Sequence, residues 1–187
     1  MMREYFQTDH NSRQNRLLVA LPRLDGSAFE RTMIWLWQDS ARTGAQGVVL
    51  NRPSMVSADQ IIQEMGYCVH QPLDDVVHQG GPVSERSLSM IHSTDWYSSN
   101  THSFGDVSIS SDLFMLEKMA VGNTPDSWRL FAGKSAWAQG QLEREITAGY
   151  WAVMAAEPEL VFSERTGLKL WEDSIALMGS KAVSQWF

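Results

Sequence analysis

The stretch H-Q-G-G-P-V-S-E-R-S-L-S-M-I-H-S, residues 78–93, contains the strongest turn signal in the chain. A short apolar run leads into two glycines and a proline, and an alternating apolar–polar run follows them. Alternation of this kind is typical of a strand with one buried face. The stretch therefore predicts a strand over 76–78, an abrupt corner at 80–82 and a second strand over 87–92.

The corner can be a backbone device or a cradle for a phosphate or other oxyanion. Gly81 precedes a proline, whose ring crowds the preceding residue, and without a Cβ it can take an extended conformation with positive φ. Pro82 lacks an N–H, and the spacing G-x-G-x-x-G of dinucleotide sites is absent. We therefore expect a corner in which Gly81 has positive φ, with the cradle as the alternative.

Other strands and helices follow from the flanking patterns. Short β-favouring runs predict strands over 17–21, 33–37, 47–51, 104–110, 128–132 and 151–154. Helical spacing predicts helices over 57–66, 112–120, 139–148 and 168–178, the first capped by Ser57 and the second by Ser111 or Asp112. Strands and helices interleave without strict alternation, so the pattern indicates an α+β fold with a mixed sheet. We expect a polar N-terminal arm over 1–16 and a single domain over 17–187.

Composition narrows the function classes. The formal net charge is −7, and lysine and arginine are scattered along the 187 residues, which disfavours a nucleic-acid footprint. Cys68 is the single cysteine, expected to be a buried structural thiol, so no internal disulfide can form. No apolar run is long enough for a membrane span, and the N-terminus lacks a signal-peptide core, so we expect a cytoplasmic protein.

The sequence contains no strong match to a catalytic or ligand-binding motif. Gly133-Lys134-Ser135 is expected to follow a strand and precede a helix, as a phosphate loop does, but Trp128 stands where such a loop needs its first glycine. The five histidines include no H-E-x-x-H and no helical i, i+4 pair. The sequence therefore predicts no bound metal, no cofactor and no recognisable catalytic group.

Several short motifs, taken in order, are similar to those of the AlgH/YqgE family of bacterial proteins. They are L-L-V-A-L-P-R-L-D at 17–25, Phe29 with Arg31, G-V-V-L-N-R-P at 47–53, G-G-P-V at 80–83, His92, Ser111-Asp112 and G-Q-L-E-x-E at 140–145. The resemblance implies one α+β domain whose mixed sheet folds into a partly closed, barrel-like shape with flanking helices. It implies no established activity or cofactor, and the family name is attached to a proposed transcriptional regulator.

The chain departs from the family pattern at four positions. Asp39 stands where the family usually has histidine, Lys134 where it has an aromatic residue, and Ala136 and Ala138 where it has glycines. The departures at 134–138 indicate that Gly133-Lys134-Ser135 is not a phosphate loop of the family.

Two functions remain open. The leading hypothesis is a non-enzymatic binding or regulatory protein that acts through a protein partner rather than through DNA. The alternative is a small-molecule-binding or hydrolase-like enzyme with a pocket between the corners that contain Asn51-Arg52 and Gly80-Gly81. In that enzyme Arg52 would bind an anion, Asn51 would donate hydrogen bonds and His92 would be a general base. Convergence of these residues on one pocket would favour the enzyme, whereas their dispersal together with an exposed apolar patch would favour a protein partner.

Overall fold

The structure is a computed structural model that describes residues 12–184. Its strands are β1 (Arg16–Ala20), β2 (Met33–Ser40), β3 (Gly44–Val49), β4 (Pro53–Ser57), β5 (Val76–Gln79), β6 (Val83–Ser93), β7 (His102–Phe104), β8 (Val107–Ser110), β9 (Trp128–Trp137) and β10 (Trp151–Ala155). Its helices are α1 (Ala58–Glu64), α2 (Leu113–Ala120), α3 (Gln141–Thr147), α4 (Pro158–Val161) and α5 (Gly167–Ser184). The predicted arm over 1–16 lies mostly outside the described residues, and β1 begins at Arg16.

The strands form a single sheet in the order β10-β1-β2-β3-β9-β6-β8-β7, with β5 beside β9 and β4 beside β5. Every pairing is antiparallel except that of β5 with β9. The sheet is strongly curled into a half-barrel with helices around it. The expected α+β domain with a partly closed mixed sheet is thus confirmed.

Strand β9 is the centre of this arrangement. β3 pairs with its last residues, 135–137, and β5 pairs with Phe131 and Ala132. β6 pairs with the same Phe131 and Ala132, so it must occupy the opposite edge of β9. The corner at 80–82 therefore carries the chain across β9 from one edge to the other and reverses its direction.

Three buried clusters hold the helices against the sheet. One contains Leu17, Trp35, Phe131 and Leu170 and is covered by α4 and α5. A second lies under α3 around Leu142, Trp137 and Trp151, and a third lies under α1 and α2 around Ile62, Met90, Met115 and Leu130. In β1, Leu17 and Val19 enter the first cluster while Leu18 and Ala20 enter the second, which is the period-two pattern of a strand buried on both faces.

Four expectations about local structure need correction. The strand predicted over 104–110 is instead part of a hairpin over 102–110, formed by β7 and β8, because Gly105 takes positive φ between them. The strand predicted over 128–132 continues to Trp137, so Gly133-Lys134-Ser135 lies inside β9 and α3 begins only at Gln141. Strand β4 and helix α4 were not expected. Cys68 is exposed, because it lies in the connection between α1 and β5 rather than in the core.

Candidate functional site

Two clefts open on either side of a bulge in β6. Six residues of β6, from Val83 to Leu88, stand against three residues of β9, from Lys134 to Ala132, so residues 84–87 loop out of the ladder. Ser84 takes a positive φ of 52°, and the Ser87 hydroxyl donates to the Ser84 carbonyl oxygen at 2.8 Å. Within this bulge Glu85 faces one cleft and Arg86 faces the other.

The first cleft, which we call the Arg52 cleft, is the pocket expected from the sequence between the two corners. It has a volume of about 390 Å³, and its walls include Phe29, Arg52, Gly81, Pro82 and Glu85. Burial lowers the pKa of Arg52, and the carboxylate of Glu30 partly offsets that effect. Arg52 keeps one long hydrogen bond, from Nη2 to the Glu30 carbonyl oxygen at 3.4 Å. The structure thus brings Arg52 and Gly81 together at one concave surface.

Asn51 lies behind this surface, where its side chain links separate segments of the chain through hydrogen bonds. Its Oδ1 accepts from the Met33 N–H at 2.9 Å, and its Nδ2 donates to the carbonyl oxygens of Arg31 and Gly167, each at 2.9 Å. The side chain is buried, and these bonds join β2 and the start of α5 to the end of β3. Its amide is therefore already used, and a ligand would have to break a native hydrogen bond to reach it.

His92 lies elsewhere, fully buried under α2 with its ring edge-on to Trp96 at 5.0 Å between centroids. Nδ1 is 2.8 Å from the Ser93 carbonyl oxygen, so it must carry the proton, and Nε2 then accepts from the Ser110 hydroxyl at 2.9 Å. Burial lowers the pKa of His92, although the Ser93 hydrogen bond and Asp95 oppose this. His92 is not among the wall residues of either cleft. The structure therefore does not bring the proposed general base to Arg52.

Gly80 and Gly81 allow the chain to cross β9 at close range. A Cβ on Gly80 would lie 2.3 Å from the Gly133 carbonyl oxygen, and one on Gly81 would lie 2.4 Å from the backbone carbon of Lys134. Gly81 has φ of +147°, which confirms the predicted positive φ. The Gly80 N–H donates to the Ala132 oxygen at 2.8 Å and is not available to an anion. This geometry supports the corner rather than the oxyanion cradle.

The second cleft, which we call the Arg86 cleft, is larger and was not predicted. Its volume is about 510 Å³, and its apolar walls come from two of the buried clusters, with Trp37 and Ile109 from one and Leu88, Met115 and Leu116 from the other. Arg86 and Lys134 supply positive charge at its walls. The available signal was the S-E-R-S segment, which interrupts the alternation between Val83 and Leu88 and so indicates a bulge.

Asp112 is the carboxylate in the wall of the Arg86 cleft, and its oxygens are already engaged. It caps α2 by accepting from the Met115 N–H at 2.8 Å, and it also accepts from the Ser98 hydroxyl at 2.6 Å and the Asn100 N–H at 3.0 Å. Burial by itself would raise the pKa of Asp112, but these hydrogen bonds outweigh it and hold the pKa below the ordinary value.

The described part of the chain offers neither a metal-binding cluster nor a membrane-spanning helix. Within 12–184, no three histidine, cysteine or acidic side chains are grouped so that they could hold a metal ion. No helix in that range is both long and apolar enough to cross a membrane.

The fold and the two clefts define a single-domain half-barrel protein of the α+β class. Two solved structures share this fold: the AlgH protein from Pseudomonas aeruginosa, with a TM-score of 0.76 over 91% of this chain and 90% of that one, and the protein DIP2367 from Corynebacterium diphtheriae, with a TM-score of 0.70 over 93% of each. Both are 23% identical to this chain, so the likeness is one of fold.

The sequence comparison identifies the family. The model of the AlgH-like family matches residues 17–183. A UPF0301 protein from Marinomonas sp. is 37% identical over 155 residues, covering 81% of this chain and 82% of that protein. Another, from Idiomarina loihiensis, is 30% identical over 178 residues, covering 87% and 95%. The chain belongs to the AlgH-like family, as its motifs predicted.

Proposed function

We propose that the protein is a non-enzymatic binding protein that acts in the cytoplasm through contact with a protein partner. The observation that supports this is the outward surface of α2. Met115, Leu116, Met119 and Ala120 are buried in the core, yet Leu113, Phe114 and Val121 on the other side are 59%, 46% and 55% exposed. A helix with apolar side chains nearly all round is normally covered on all sides. We define the α2 surface as Tyr97, Leu113, Phe114 and Val121.

The α2 surface is held in place by Lys118. Its ammonium lies 4.5 Å from the ring centre of Tyr97 and 5.2 Å from that of Phe114, and it donates to the Tyr97 carbonyl oxygen at 2.6 Å. Tyr97 is 73% exposed although its ring is fixed in this way. Exposed aromatic groups that are already ordered lose little conformational entropy on binding, which suits them to anchor a protein partner.

A protein partner fits the charge of the chain better than DNA does. The net charge is −7, and duplex binding depends on a cluster of lysine and arginine that neutralises phosphates. We therefore propose that any regulatory role is exerted on a protein. Asn51 and Arg52 line one cleft together, but His92 is buried elsewhere, so the hydrolase-like alternative has less support than the binding role.

The test is site-specific photo-crosslinking in the cells of origin, with the photoreactive residue at position 114 or, as a control, at Met55, which is 98% exposed on β4. We expect one defined protein to crosslink at position 114 and not at position 55. In pull-downs that protein should be lost with the double variant Phe114→Ser/Val121→Ser and retained with Met55→Ser. Equal capture by both variants, or crosslinking only to a second copy of this chain, would contradict the proposal.

A further inference from the structure

The walls of the Arg86 cleft include two cations, Arg86 and Lys134, and one carboxylate, Asp112, so the charge of the cleft is net positive. Among the residues that the structure describes, no carboxylate lies within ion-pair distance of Arg86 or Lys134. Lys134 donates one hydrogen bond, to Gln46 Oε1 at 2.7 Å, and an ammonium group has three donors. Asp112, the acid in the wall, already accepts three hydrogen bonds. In a chain of net charge −7, this cleft is a local positive site.

Arg86 and Lys134 lie on the neighbouring strands β6 and β9, at the bulge in β6. The bulge at 84–87 turns Arg86 out of the β6 ladder, and Gly133, which has φ of +72°, lies beneath that bulge next to Lys134. A Cβ at Gly133 would lie 3.2 Å from Glu85 Cα, so the close packing of β9 against the bulge depends on glycine. The cations are thus fixed to the sheet by their backbones while their side chains line the cleft.

The rest of the cleft suits an apolar body. Met65 and Leu113 are about half exposed at its edge, and Leu88, Ile109 and Leu116 lie in its walls. A volume of about 510 Å³ falls within the usual range for sites that enclose a small organic ligand. The guanidinium group of arginine matches the two oxygens of a carboxylate or phosphate in a bidentate pair.

From this combination we propose that the Arg86 cleft binds a small organic anion, with a carboxylate or phosphate head at Arg86 and Lys134 and an apolar body against Leu88 and Leu113. This site shares only Leu113 with the α2 surface, and the binding of an anion at Arg86 and Lys134 does not depend on the proposed protein partner. The head group and the body contribute together, so neither an inorganic anion nor a neutral apolar molecule should replace the complete ligand.

Isothermal titration calorimetry with four probes tests the proposal: octanoate and octyl phosphate below their aggregation concentrations, octanol as the uncharged body, and inorganic phosphate as the head alone. We expect one octanoate or octyl phosphate per chain. Octanol lacks the charged head and inorganic phosphate lacks the apolar body, so each should bind at least about tenfold more weakly, since hydrogen bonds to a charged group and the burial of several methylene groups each contribute that much. A preference for octanoate would identify a carboxylate ligand, and a preference for octyl phosphate a phosphate ester.

Variants locate the site. Arg86→Ala and Lys134→Gln should each weaken binding of the preferred probe by about tenfold, whereas Arg42→Ala, which removes an exposed cation in the β2–β3 turn, should leave it unchanged. Arg86 lies on a bulge outside the core, so its variant should keep the thermal midpoint of the parent. Octanol binding as tightly as octanoate, unchanged affinity in both cleft variants, or no binding of any probe at millimolar concentration would overturn the proposal.

Discussion

At the scale of single residues, position 81 imposes two conditions, one on backbone conformation and one on space, that only glycine satisfies together. Its φ of +147° is unfavourable for a residue with a Cβ, and the site of that Cβ lies 2.5 Å from the backbone nitrogen of Ser135. The sequence indicated the first condition, because Gly81 precedes a proline. It could not indicate the second, because the contact joins residues more than fifty positions apart. Gly133 belongs to the Gly133-Lys134-Ser135 segment, which partly resembles a phosphate loop in the sequence. In the structure it packs against Gly81 where the chain crosses β9.

Replacement of Gly81 by alanine should therefore be far more costly than replacement of an uncrowded glycine. Gly26 is the matched control, since it has φ of +79° but no atom within 4 Å of the position that a Cβ would occupy. We expect Gly26→Ala to lower the free energy of unfolding by about 1 kcal/mol and Gly81→Ala by more than about 3 kcal/mol. Urea unfolding of both variants measures the difference. Equal losses would show that the chain crossing tolerates a side chain.

At the scale of elements, the starts of α1 and α2 could be predicted from the sequence. Ser57 and Asp112 cap α1 and α2 as the sequence indicated, and Ser57 completes a capping box with Gln60. These signals are local, so they can be read without knowledge of the fold. The bulge in β6 is different. The break in alternation between Val83 and Leu88 indicates that a bulge is present, but which side chains it turns outward depends on the register with β9. Both clefts depend on that register, so the Arg86 cleft could not be predicted from the sequence.

Asp112 should contribute more to stability than a simple cap. Besides capping α2, it binds Ser98 and Asn100, and so fixes the segment before β7 to the helix. We expect Asp112→Ala to lower the free energy of unfolding by about 2–3 kcal/mol and Ser57→Ala by about 1 kcal/mol. Denaturant titrations at neutral pH provide the measurement, with Asp112→Asn expected between the parent and the alanine variant. A loss for Asp112→Ala no larger than that for Ser57→Ala would assign Asp112 a capping role alone.

At the scale of the whole molecule, α4 and the segment that follows it are tied to the sheet through a buried arginine. Arg129 on β9 donates to the carbonyl oxygen of Val161 at 3.0 Å and to that of Ser163, where the chain leaves α4. Burial lowers the pKa of Arg129, with the carboxylate of Asp75 opposing that effect. The curled sheet and the fold class could be predicted from the strand pattern and the family motifs. The polar interior could not be predicted, because Arg129, Asp75 and His78 come together only after β5 pairs with β9.

This polar interior should make folding stability depend on pH. His78 is buried against Phe131, its Nδ1 lies 3.2 Å from the Val76 carbonyl oxygen, and its Nε2 has no hydrogen-bond partner among the described residues. Burial, reinforced by the positive charge of Arg129, lowers the pKa of His78 to about 4. The unfolded chain has the ordinary pKa of about 6.5 and thus binds more protons between pH 4 and 6.5. Stability contributed by neutral His78 is therefore complete above pH 6.5 and is lost as the pH falls towards 4.

The variant His78→Leu isolates this effect, because it removes the titrating group and also the unpaired buried nitrogen. Between pH 7 and pH 4, His78 should account for a loss of about 3 kcal/mol in the free energy of unfolding of the parent. The variant should lose less over the same range by about that amount. His92, whose pKa burial also lowers, and Asp75, whose pKa burial raises, titrate in both proteins, so the difference between the two curves belongs to His78. Urea unfolding at half-unit pH intervals gives both curves. Parallel curves would mean that His78 gains a proton in the folded protein as readily as in the unfolded chain.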